Sequence, residues 1–587
     1  MYEVKRDIKN LKISNFRGIN SLDWIVDGRF LCLIGPGDST KSTILEAIEL
    51  VLTPRRNVTF DDTDFYNANI ESPIVIEMTT GEIPADLLSE AKFGDMVRGW
   101  DGAAVQDEPM EQGQPLLTIQ LRVDQTLEPS WLVVNDRDPE GKRISSFDRA
   151  KFGASRIRDY ADWQFSWGSG STLAKLMEDR EDVRTVLAAA RRQAKASLDP
   201  DELPLFKISA QKAEAIGKKL GVAARTENGF APHLDVRNIN IGTSILALHD
   251  GPIPMRQSGL GTSRLLTLGL QHEAGRAGGV TLIDEVEHGL EPHRLRRLLH
   301  VLRTGIRLQE NGEADNAAAG NIAGESTNQV FLTTHAPVAL CELEPADLRV
   351  VRSDNGITDI KRPDDGLRPL FRTNPEAFLA RKVIVCEGKT ELGFCIALDK
   401  WWSIKESPFA YAGVALADGQ GNTKGPTWAI NFANLGYRAT FFGDSDDPPN
   451  PGEDELEVAG VCTILWTGEV SIEERVALDL PWDGFVKMAN LAIDERGEDH
   501  VRAKLAHHFN IQPAEVPVDP EEWRTILTSE EEIRSAFGKV AKAKKAEWFK
   551  RVDKAVKLGE IVTHHWEHIA DKPLGIGIQR LKDWVYD

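Results

Sequence analysis

The stretch GPGDSTKS, residues 35–42, decides the fold of this chain. It follows a continuous apolar run, FLCLI at residues 30–34, and it precedes a segment with helical periodicity that extends to Leu52. A buried strand, a glycine-containing loop and a helix in this order leave backbone amides and a helix N-terminus free to face an anion. The stretch therefore predicts a phosphate-binding loop in an α/β fold.

The residues of this loop match the parts that a nucleotide site needs. Such a loop uses glycine where the backbone bends, a lysine for the β- and γ-phosphates and a hydroxyl for magnesium, and Gly35, Lys41 and Ser42 fill these places. Thr40 stands where the usual pattern has its second glycine, and we expect its Cβ to narrow the loop or slow turnover. The predicted nucleotide-binding residues of the loop are Gly35, Gly37, Asp38, Ser39, Thr40, Lys41 and Ser42.

An acidic pair follows a second apolar run about 240 residues later. VTLI at residues 280–283 reads as a buried strand that ends at Asp284 and Glu285. We interpret Asp284 as a magnesium ligand and Glu285 as the group that polarises the attacking water. The alternative is a strand-end acidic pair without chemistry.

Two further segments complete a nucleotide site in the expected order. Ser258 and Gly259 precede a long helical pattern, so their amides are predicted to face a γ-phosphate bound by another protomer. VFLTT at residues 330–334 reads as a strand that ends at His335, a position suited to sensing the γ-phosphate. The alternatives are a Gly-Ser turn for Ser258 and Gly259 and a buried core histidine for His335. Because four elements occur in the right order, coincidence is a poor explanation.

Length and composition limit the number of domains and the kind of protein that this chain can be. A chain of 587 residues, 41% hydrophobic and 27% charged, is expected to form two to four domains. It contains no apolar run of about 18 residues and no apolar leader, so we expect a cytoplasmic protein without a membrane segment. Five cysteines without metal-ligand spacing indicate reduced, packed thiols. The net charge of −21 argues against a generic basic nucleic-acid coat but does not exclude DNA.

The chain divides into four predicted parts. Residues 1–155 and 233–377 form the two portions of the ATPase, and residues 156–232 form a helical insertion, either a dimerisation arm or an extra packing layer. Residues 309–328 contain a single large apolar side chain, Ile322, and are predicted to form a surface loop. Residues 378–587 form the last part, which starts with a new buried strand after Pro375.

The last part carries a second set of acidic residues. VIVC at residues 383–386 reads as a strand followed by a glycine turn and a helix, which points Glu387 and Glu391 into one cleft. ATFFG at residues 439–443 is a strand that delivers Asp444 and Asp446 to one face. Convergent carboxylates suit hard cations such as Mg²⁺ or Mn²⁺. Two such ions about 4 Å apart support phosphodiester cleavage. A solvated turn is the alternative for the second pair.

The first half resembles the ABC-type ATPases of the structural-maintenance and RecF group, and more narrowly the Overcoming Lysogenization Defect family. The resemblance rests on residues 15–18 (NFRG), the loop at 35–42, the segment at Ser258, and residues 284–287 (DEVE) and 334–337 (THAP). It implies that Arg17 approaches the nucleotide and that head-to-head dimerisation completes each ATP site. The chain lacks sustained heptads, so a DNA-bridging coiled coil is disfavoured.

The last part resembles a TOPRIM domain, the glutamate plus Asp-x-Asp fold of topoisomerases, primases and nucleases, and this resemblance implies an α/β domain with a parallel sheet. Its position after an ABC-type ATPase again matches the Overcoming Lysogenization Defect family, including the Gabija-type defence nucleases. The resemblance implies a further acidic residue, Glu473 with Glu474 as its rival, and a late lysine. For the lysine we choose Lys550, in a basic stretch at residues 544–551 that we expect to be helical and to contact DNA phosphates.

The sequence therefore favours an α/β chain with an ATPase followed by a metal-dependent DNA endonuclease of antiviral type. The expected cofactors are ATP and Mg²⁺ or Mn²⁺, and the expected partners are DNA and a second copy in a homodimer or tetramer, with a second defence-system protein left open. Three alternatives remain. They are a nucleotide-dependent sensor or scaffold, an RNA-directed nuclease, and a topoisomerase-like strand passer, which the absence of a tyrosine in a recognisable DNA-binding context disfavours.

Overall fold

The computed structural model describes most of the chain. Much of the predicted helical insertion, all of the predicted surface loop at 309–328, and Lys544 and Lys545 of the basic stretch lie outside the described residues. The described residues are 7–111, 113–157, 162–168, 171–175, 189, 192–193, 204–219, 246–274, 279–304, 329–526, 529–543 and 546–587.

The first half is built on one large mixed sheet. The described strands pair in the order β10-β13-β14-β3-β15-β16-β2-β1-β4-β7-β5-β6, with β8 and β9 continuing from β7, and β11 and β12 form a separate hairpin. The strands are β1 (Asp7–Phe16), β2 (Ile19–Ile25), β3 (Phe30–Ile34), β4 (Ile74–Gly81), β5 (Arg98–Trp100), β6 (Val105–Gln106), β7 (Gln114–Val123), β8 (Pro129–Val134), β9 (Lys142–Arg143), β10 (Ala154–Ile157), β11 (His249–Asp250), β12 (Ile253–Pro254), β13 (Val280–Ile283), β14 (Gln329–Thr333), β15 (Leu348–Asp354) and β16 (Ile357–Lys361).

Helices cover the sheet and connect its parallel strands. The helices described in this half are α1 (Lys41–Leu52), α2 (Ser146–Ala150), α3 (Thr172–Lys175), α4 (Pro204–Lys219), α5 (Leu260–Ala274), α6 (Pro292–Thr304), α7 (Pro337–Glu342) and α8 (Arg368–Thr373).

The parallel part of the sheet positions the nucleotide residues. Strands β10, β13, β14, β3 and β15 are mutually parallel, and β3, β13 and β14 are almost fully buried, as their continuous apolar runs predict. Parallel neighbours bring their carboxyl ends to one edge, so the loop after β3, the acidic pair after β13 and His335 after β14 meet there. The predicted strand, loop and helix are confirmed.

The second half contains a smaller, fully parallel sheet, as the sequence predicts. Its strands are β17 (Lys382–Cys386), β18 (Val414–Asp418), β19 (Arg438–Gly443) and β20 (Cys462–Leu465), in the order β18-β17-β19-β20. Its helices are α9 (Lys389–Lys405), α10 (Lys424–Asn434), α11 (Glu453–Val458), α12 (Ile472–Asp479), α13 (Trp482–Arg496), α14 (Glu498–Phe509), α15 (Glu530–Lys542), α16 (Val552–His564), α17 (Trp566–Ile569) and α18 (Pro573–Tyr586).

The two sheets share one apolar core. One continuous cluster of buried side chains joins Ile34 and Val350 of the large sheet to Val385 and Phe441 of the small sheet. Polar contacts reinforce the junction, since the Trp428 indole donates to the Gly366 carbonyl (3.3 Å). Within the described residues, no helix combines the length and the apolar character needed to cross a bilayer.

The described part of the insertion differs from the prediction at its start. Strand β10 runs through residue 156 and pairs in parallel with β13, so Arg156 and Ile157 belong to the large sheet and not to a helical segment. The helical pattern around Ile208 and Ile216 is confirmed, because α4 spans Pro204–Lys219. Both of these isoleucines are exposed.

Candidate functional site

The loop at residues 35–42 closes on its own lysine. The Lys41 ammonium donates to the carbonyls of Gly35 (3.1 Å) and Pro36 (2.7 Å) and to the Ser39 hydroxyl (3.0 Å). These three oxygens satisfy the hydrogen bonding of the buried ammonium. Burial lowers the pKa of Lys41 to about 8. An anionic ligand in the loop would give this lysine a stronger partner than neutral carbonyls.

The backbone of the loop explains why glycine is usual at two of its positions. Gly35 has φ +145°, and a Cβ there would lie 2.5 Å from the Val351 carbonyl oxygen of β15. Thr40 has φ 67°, a left-handed conformation that is unfavourable for a β-branched residue. Thr40 also lies against Gly18, and its hydroxyl is 3.3 Å from that of Thr358. The threonine therefore sits in a strained backbone conformation at the start of α1, and the predicted narrowing of the loop or slower turnover stays a prediction.

Asp284 lies beside the loop, as the strand order predicts. Its Oδ1 accepts hydrogen bonds from the hydroxyls of Ser42 (3.0 Å) and Thr333 (2.7 Å). Its Oδ2 accepts from the guanidinium of Arg156 (3.1 Å), which also pairs with Glu49 (3.1 Å). Ser42 and Asp284, the two predicted magnesium ligands, are thus in contact, and the chemistry of a hydroxyl beside a carboxylate suits Mg²⁺.

The residues after Asp284 are held by the neighbouring strand. The Glu285 amide donates to the Thr333 hydroxyl (2.8 Å), and the Glu285 side chain is exposed. Glu287 accepts hydrogen bonds from the Thr334 hydroxyl and from the His335 amide, both at 2.7 Å. His335 itself is exposed at the same edge of the sheet, next to the acidic pair.

Three predicted nucleotide residues lie away from the loop contacts. The Arg17 side chain pairs with Glu46 (2.6 Å) and Asp64 (2.9 Å), so α1 holds it through Glu46. Ser258 and Gly259, at the start of α5, make no hydrogen bond to residues 35–42 within the described part of the chain. The predicted contact of Ser258 and Gly259 with a nucleotide bound by another protomer stays a prediction.

A cavity of about 380 Å³ opens at the carboxyl edge of the small sheet. It contains four of the five predicted acidic residues, and it also contains Asp418, which the sequence reasoning missed. Three lysines line the same cavity. The charged residues that line the cavity are Glu387, Lys389, Glu391, Asp418, Asp444, Glu473, Lys542 and Lys550.

Backbone amides fix three of these carboxylates. The Asp444 amide donates to Glu387 (2.8 Å), and the Ile472 amide at the start of α12 donates to Asp444 (2.6 Å). Glu391 accepts from the Gly388 amide (2.9 Å) at the start of α9. The strand ends and helix starts therefore aim these side chains into one space, as predicted for Glu387, Glu391 and Asp444.

The carboxylates in the cavity disfavour one another's charge. Burial raises the pKa of Glu391, and Glu387 and Glu473 raise it further. Burial also raises the pKa of Asp444, with added repulsion from Glu391, Glu473 and Glu387. Several acids that repel one another in a partly buried space are stabilised by a bound cation.

The structure separates Glu473 from its rival. Glu473 is 3% exposed, lines the cavity and lies 3.5 Å from the Thr390 hydroxyl. Glu474 points away, where it accepts a hydrogen bond from Ser535 (2.6 Å). Asp446 lies beyond the end of β19, outside the cavity lining, and pairs with Lys542. Both Asp444 and Asp446 follow the end of β19 at Gly443, and the charge of Asp446 adds to the raised pKa of Glu387 and of Asp444, so its predicted place on the same face stays a prediction.

The predicted helix around Lys550 is also wrong. Residues 546–551 form a loop between α15 and α16, with a positive φ at Glu547. Trp548 and Phe549 are buried in the core, so these aromatic side chains anchor the loop and do not face DNA. Lys550 nevertheless lines the cavity, where it pairs with Glu547 (3.3 Å).

The carboxylate arrangement requires movement before it can hold a metal ion. Among the described residues, no group of three or more His, Cys, Asp or Glu side chains is positioned to ligate one. Glu387, Glu391 and Asp444 each use an oxygen on a backbone amide, and Asp446 is occupied by Lys542. The donor set, all oxygen and strongly acidic, fits Mg²⁺ or Mn²⁺ by its chemistry.

Comparison with known families assigns the first half. The model of the family described as "AAA domain, putative AbiEii toxin, Type IV TA system" matches residues 30–341, more than half of the chain. The chain belongs to this AAA-domain family. The match begins at β3 and includes both the phosphate loop and Asp284. The first half is therefore an ATP-binding P-loop ATPase domain on a mixed α/β sheet, and the AAA domain carries the nucleotide site described above.

Solved structures with some likeness to the AAA domain are remote. The SMC head domain from Thermotoga maritima shares 14% identity at a TM-score of 0.27, covering 61% of this chain and 99% of that one. The Smc head domain with an extended coiled coil, bound to the C-terminal domain of ScpA from Pyrococcus furiosus, shares 12% sequence identity at a TM-score of 0.32. The match covers 61% of this chain and 96% of that one. The recombination mediator RecF with ATP shares 13% sequence identity at a TM-score of 0.30. The match covers 61% of this chain and 99% of that one. Values this low carry no inference about activity or partners. No curated protein matches the chain.

Proposed function

We propose that the chain is an ATP-regulated, divalent-metal-dependent DNA endonuclease of the Overcoming Lysogenization Defect family, with a TOPRIM domain at residues 378–587. The observation that carries the proposal is the cavity at the edge of the small sheet. Glu387, Glu391, Asp444 and Glu473 come from three separate segments, yet all of them line it. Acids rarely converge in a partly buried space unless they hold a cation or a proton.

The residues divide into roles by their chemistry. Glu387, Glu391, Asp444 and Glu473 are the proposed metal ligands, and Asp418 joins them as an acid in the same lining. Bound divalent ions would supply a water of lowered pKa and positive charge for the leaving oxygen. Lys550 is proposed to contact the phosphate charge from the opposite wall. Asp446 completes the set once Lys542 releases it.

In the AAA domain, the proposed roles follow the contacts at the sheet edge. Ser42 and Asp284 hold the Mg²⁺ that accompanies ATP, Glu285 polarises water, and His335 senses the γ-phosphate. Ser258 and Gly259 make no hydrogen bond to the loop of their own chain among the described residues, and we propose that a second copy completes the site. We propose a homodimer or tetramer in which Arg17 leaves Glu46 to meet the nucleotide.

The biological role is proposed to be defence against phage. Nucleotide state would control access of DNA to the cavity, and a second defence-system protein remains a candidate partner. The exposed apolar residues of α4, including Leu205 and Phe206, suit the dimerisation role predicted for the insertion.

A second candidate function is a nucleotide-dependent scaffold without cleavage. The hydrogen bonds of Glu387, Glu391 and Asp444 to backbone amides favour it, since these bonds also serve as structural caps. In this alternative a partner protein would act on nucleic acid.

The experiment measures cleavage of supercoiled plasmid DNA and of a matched RNA by the full chain with Mn²⁺ or Mg²⁺, with and without ATP. Glu473→Gln is expected to lower the cleavage rate at least about 100-fold by loss of a metal ligand. Glu474→Gln is the matched control, because it alters the adjacent residue outside the cavity and keeps a group that can accept from Ser535. Equal cleavage rates for the two variants, or no cleavage by the unmodified chain, would refute the proposed nuclease activity. Cleavage of the RNA but not of the plasmid would show that the substrate is RNA and not DNA.

A further inference from the structure

Helix α15 delivers a basic side chain to the carboxylate cavity. Lys542 is the last residue of this helix, and its ammonium pairs with Asp446. The two residues are separated by 96 positions in the sequence. The contact therefore depends on how α15 packs and not on local chain geometry.

The packing of α15 leaves Lys542 little freedom in its position. At Gly538 the helix lies so close to α12 that an added Cβ would overlap the Glu474 Cα. Helix α12 is the element that carries Glu473 into the cavity. The close approach at Gly538 thus links the position of Lys542 to the position of an acidic wall residue.

Lys542 experiences the charge of the whole acidic group. Burial acts to lower its pKa, but the hydrogen bond with Asp446 and attraction to Asp444 and Glu473 outweigh burial, so the pKa is raised. In return, Lys542 is among the groups that lower the pKa of Glu387 and Glu473. Lys542 and Lys550 both offset part of the negative charge of Glu473, and Lys542 is the one of the two that pairs directly with an acid of the proposed metal site, Asp446.

From this arrangement we propose that Lys542 is a tethered counter-cation that competes with the second divalent ion for Asp446. The inference rests on the proposed function, because it assumes that the cavity binds divalent ions. Loading of the second ion requires the ammonium to leave Asp446, so the chain holds that ion more weakly than its ligands alone would. The second ion would then be retained mainly when a substrate phosphate adds its own negative charge.

Lys550 provides a matched comparison. It lines the same cavity and carries the same charge, but it pairs with Glu547 and with no acid that lines the cavity. Removing the charge of Lys550 changes the long-range field in the cavity. Removing the charge of Lys542 also frees a ligand oxygen.

The test is calorimetric titration of Mn²⁺ into the metal-stripped full chain without nucleotide or DNA. Free Mn²⁺ is counted in parallel by electron paramagnetic resonance. Lys542→Gln is expected to tighten the weaker Mn²⁺ site about fivefold, the upper end of the effect of removing one partly exposed ion pair. Lys550→Gln and the charge-retaining Lys542→Arg are expected to stay within about twofold of the unmodified chain.

Thermal unfolding gives a second readout that does not depend on activity. Without metal, Lys542→Gln should unfold at a lower temperature than the unmodified chain, because the acids lose their counter-cation. Saturating Mn²⁺ should reverse that order. Mn²⁺ binding with equal or weaker second-site affinity in Lys542→Gln would overturn this inference alone. Absence of Mn²⁺ binding in every variant would overturn the proposed function with it.

Discussion

The guanidinium of Arg352 lies 3.6 Å from the centre of the Tyr437 ring, and this contact joins the two sheets. Arg352 is on β15, directly after the residue whose carbonyl touches Gly35 of the phosphate loop. Tyr437 immediately precedes β19, the strand that ends next to Asp444. The nucleotide loop and the carboxylate cavity are therefore connected through one strand on each side of a cation–π contact.

The Arg352–Tyr437 contact should contribute measurably to stability. Tyr437→Phe removes the hydrogen bond from the buried hydroxyl to the Phe378 carbonyl (2.8 Å) and is expected to lower the free energy of unfolding by about 1 to 2 kcal/mol. Arg352→Ala, which removes the cation from the ring and a bond to the Ala380 carbonyl, should lower it by about 2 kcal/mol. Urea unfolding measures both values. Lys361→Ala, at an exposed contact of the same junction, should change stability by less than about 0.5 kcal/mol.

Tyr437 should also shape the stability of the protein in alkali. Burial raises its pKa to about 12, although Arg352 opposes the increase. The unfolded chain releases this proton from about pH 10. Stability from the protonated tyrosine is therefore complete below pH 10 and is lost as the pH rises from 10 to 12. The stability advantage over Tyr437→Phe should shrink across this window. A tyrosinate absorbance difference between the two proteins that appears already at pH 10 would contradict the assignment.

Thr40 provides a test of backbone strain in the phosphate loop. At φ 67° alanine keeps the strain and loses the hydroxyl, whereas glycine relieves the strain. We therefore expect Thr40→Gly to be more stable than Thr40→Ala by about 1 kcal/mol in thermal unfolding.

The control for Thr40 lies three residues further along α1. Thr43 is inside the helix, where helix propensity favours alanine over glycine. The free energy of unfolding of Thr43→Ala should therefore exceed that of Thr43→Gly by about 1 kcal/mol. The same order of stability at both positions would show that the left-handed conformation of Thr40 is not retained in solution.

Gly538 should be intolerant of any side chain. Because a Cβ would overlap the Glu474 backbone, Gly538→Ala must push α15 away from α12, and we expect a loss of about 2 to 3 kcal/mol together with weaker Mn²⁺ binding. Gly452→Ala is the comparison, since no atom lies within 4 Å of the added carbon and φ is −72°. Its unfolding temperature should stay within about 2 °C of the unmodified chain.

Much of the fold could be predicted because the decisive strands are continuous apolar runs that end in glycine or acid. The runs before Gly35, Asp284, Glu387 and Asp444 each became a buried strand in the predicted place. In parallel sheets this order alone brings the strand ends together. The nucleotide residues and three of the acids therefore followed from local patterns.

The residues that the sequence reasoning missed depend on distant packing. Asp418 ends a strand with a short apolar run, VALA at residues 414–417, of which only Ala417 is fully buried. Arg156 and Lys542 meet their acidic partners only through the pairing of β10 with β13 and the contact of α15 with α12. The helix expected at Lys550 failed because Trp548 and Phe549 enter the core, and burial of these rings outweighs local helical preference.

The common core of the two sheets has a consequence for how ligands act on the molecule. Because the apolar side chains of Ile34, Val350, Val385 and Phe441 belong to one cluster, unfolding of one sheet would expose apolar surface of the other, so we expect each half to stabilise the other. Stabilisation gained at one sheet is then shared with the other through this cluster. A triphosphate at Lys41 should shield the residues around Asp444 from protease, with no need for contact between the two ligands.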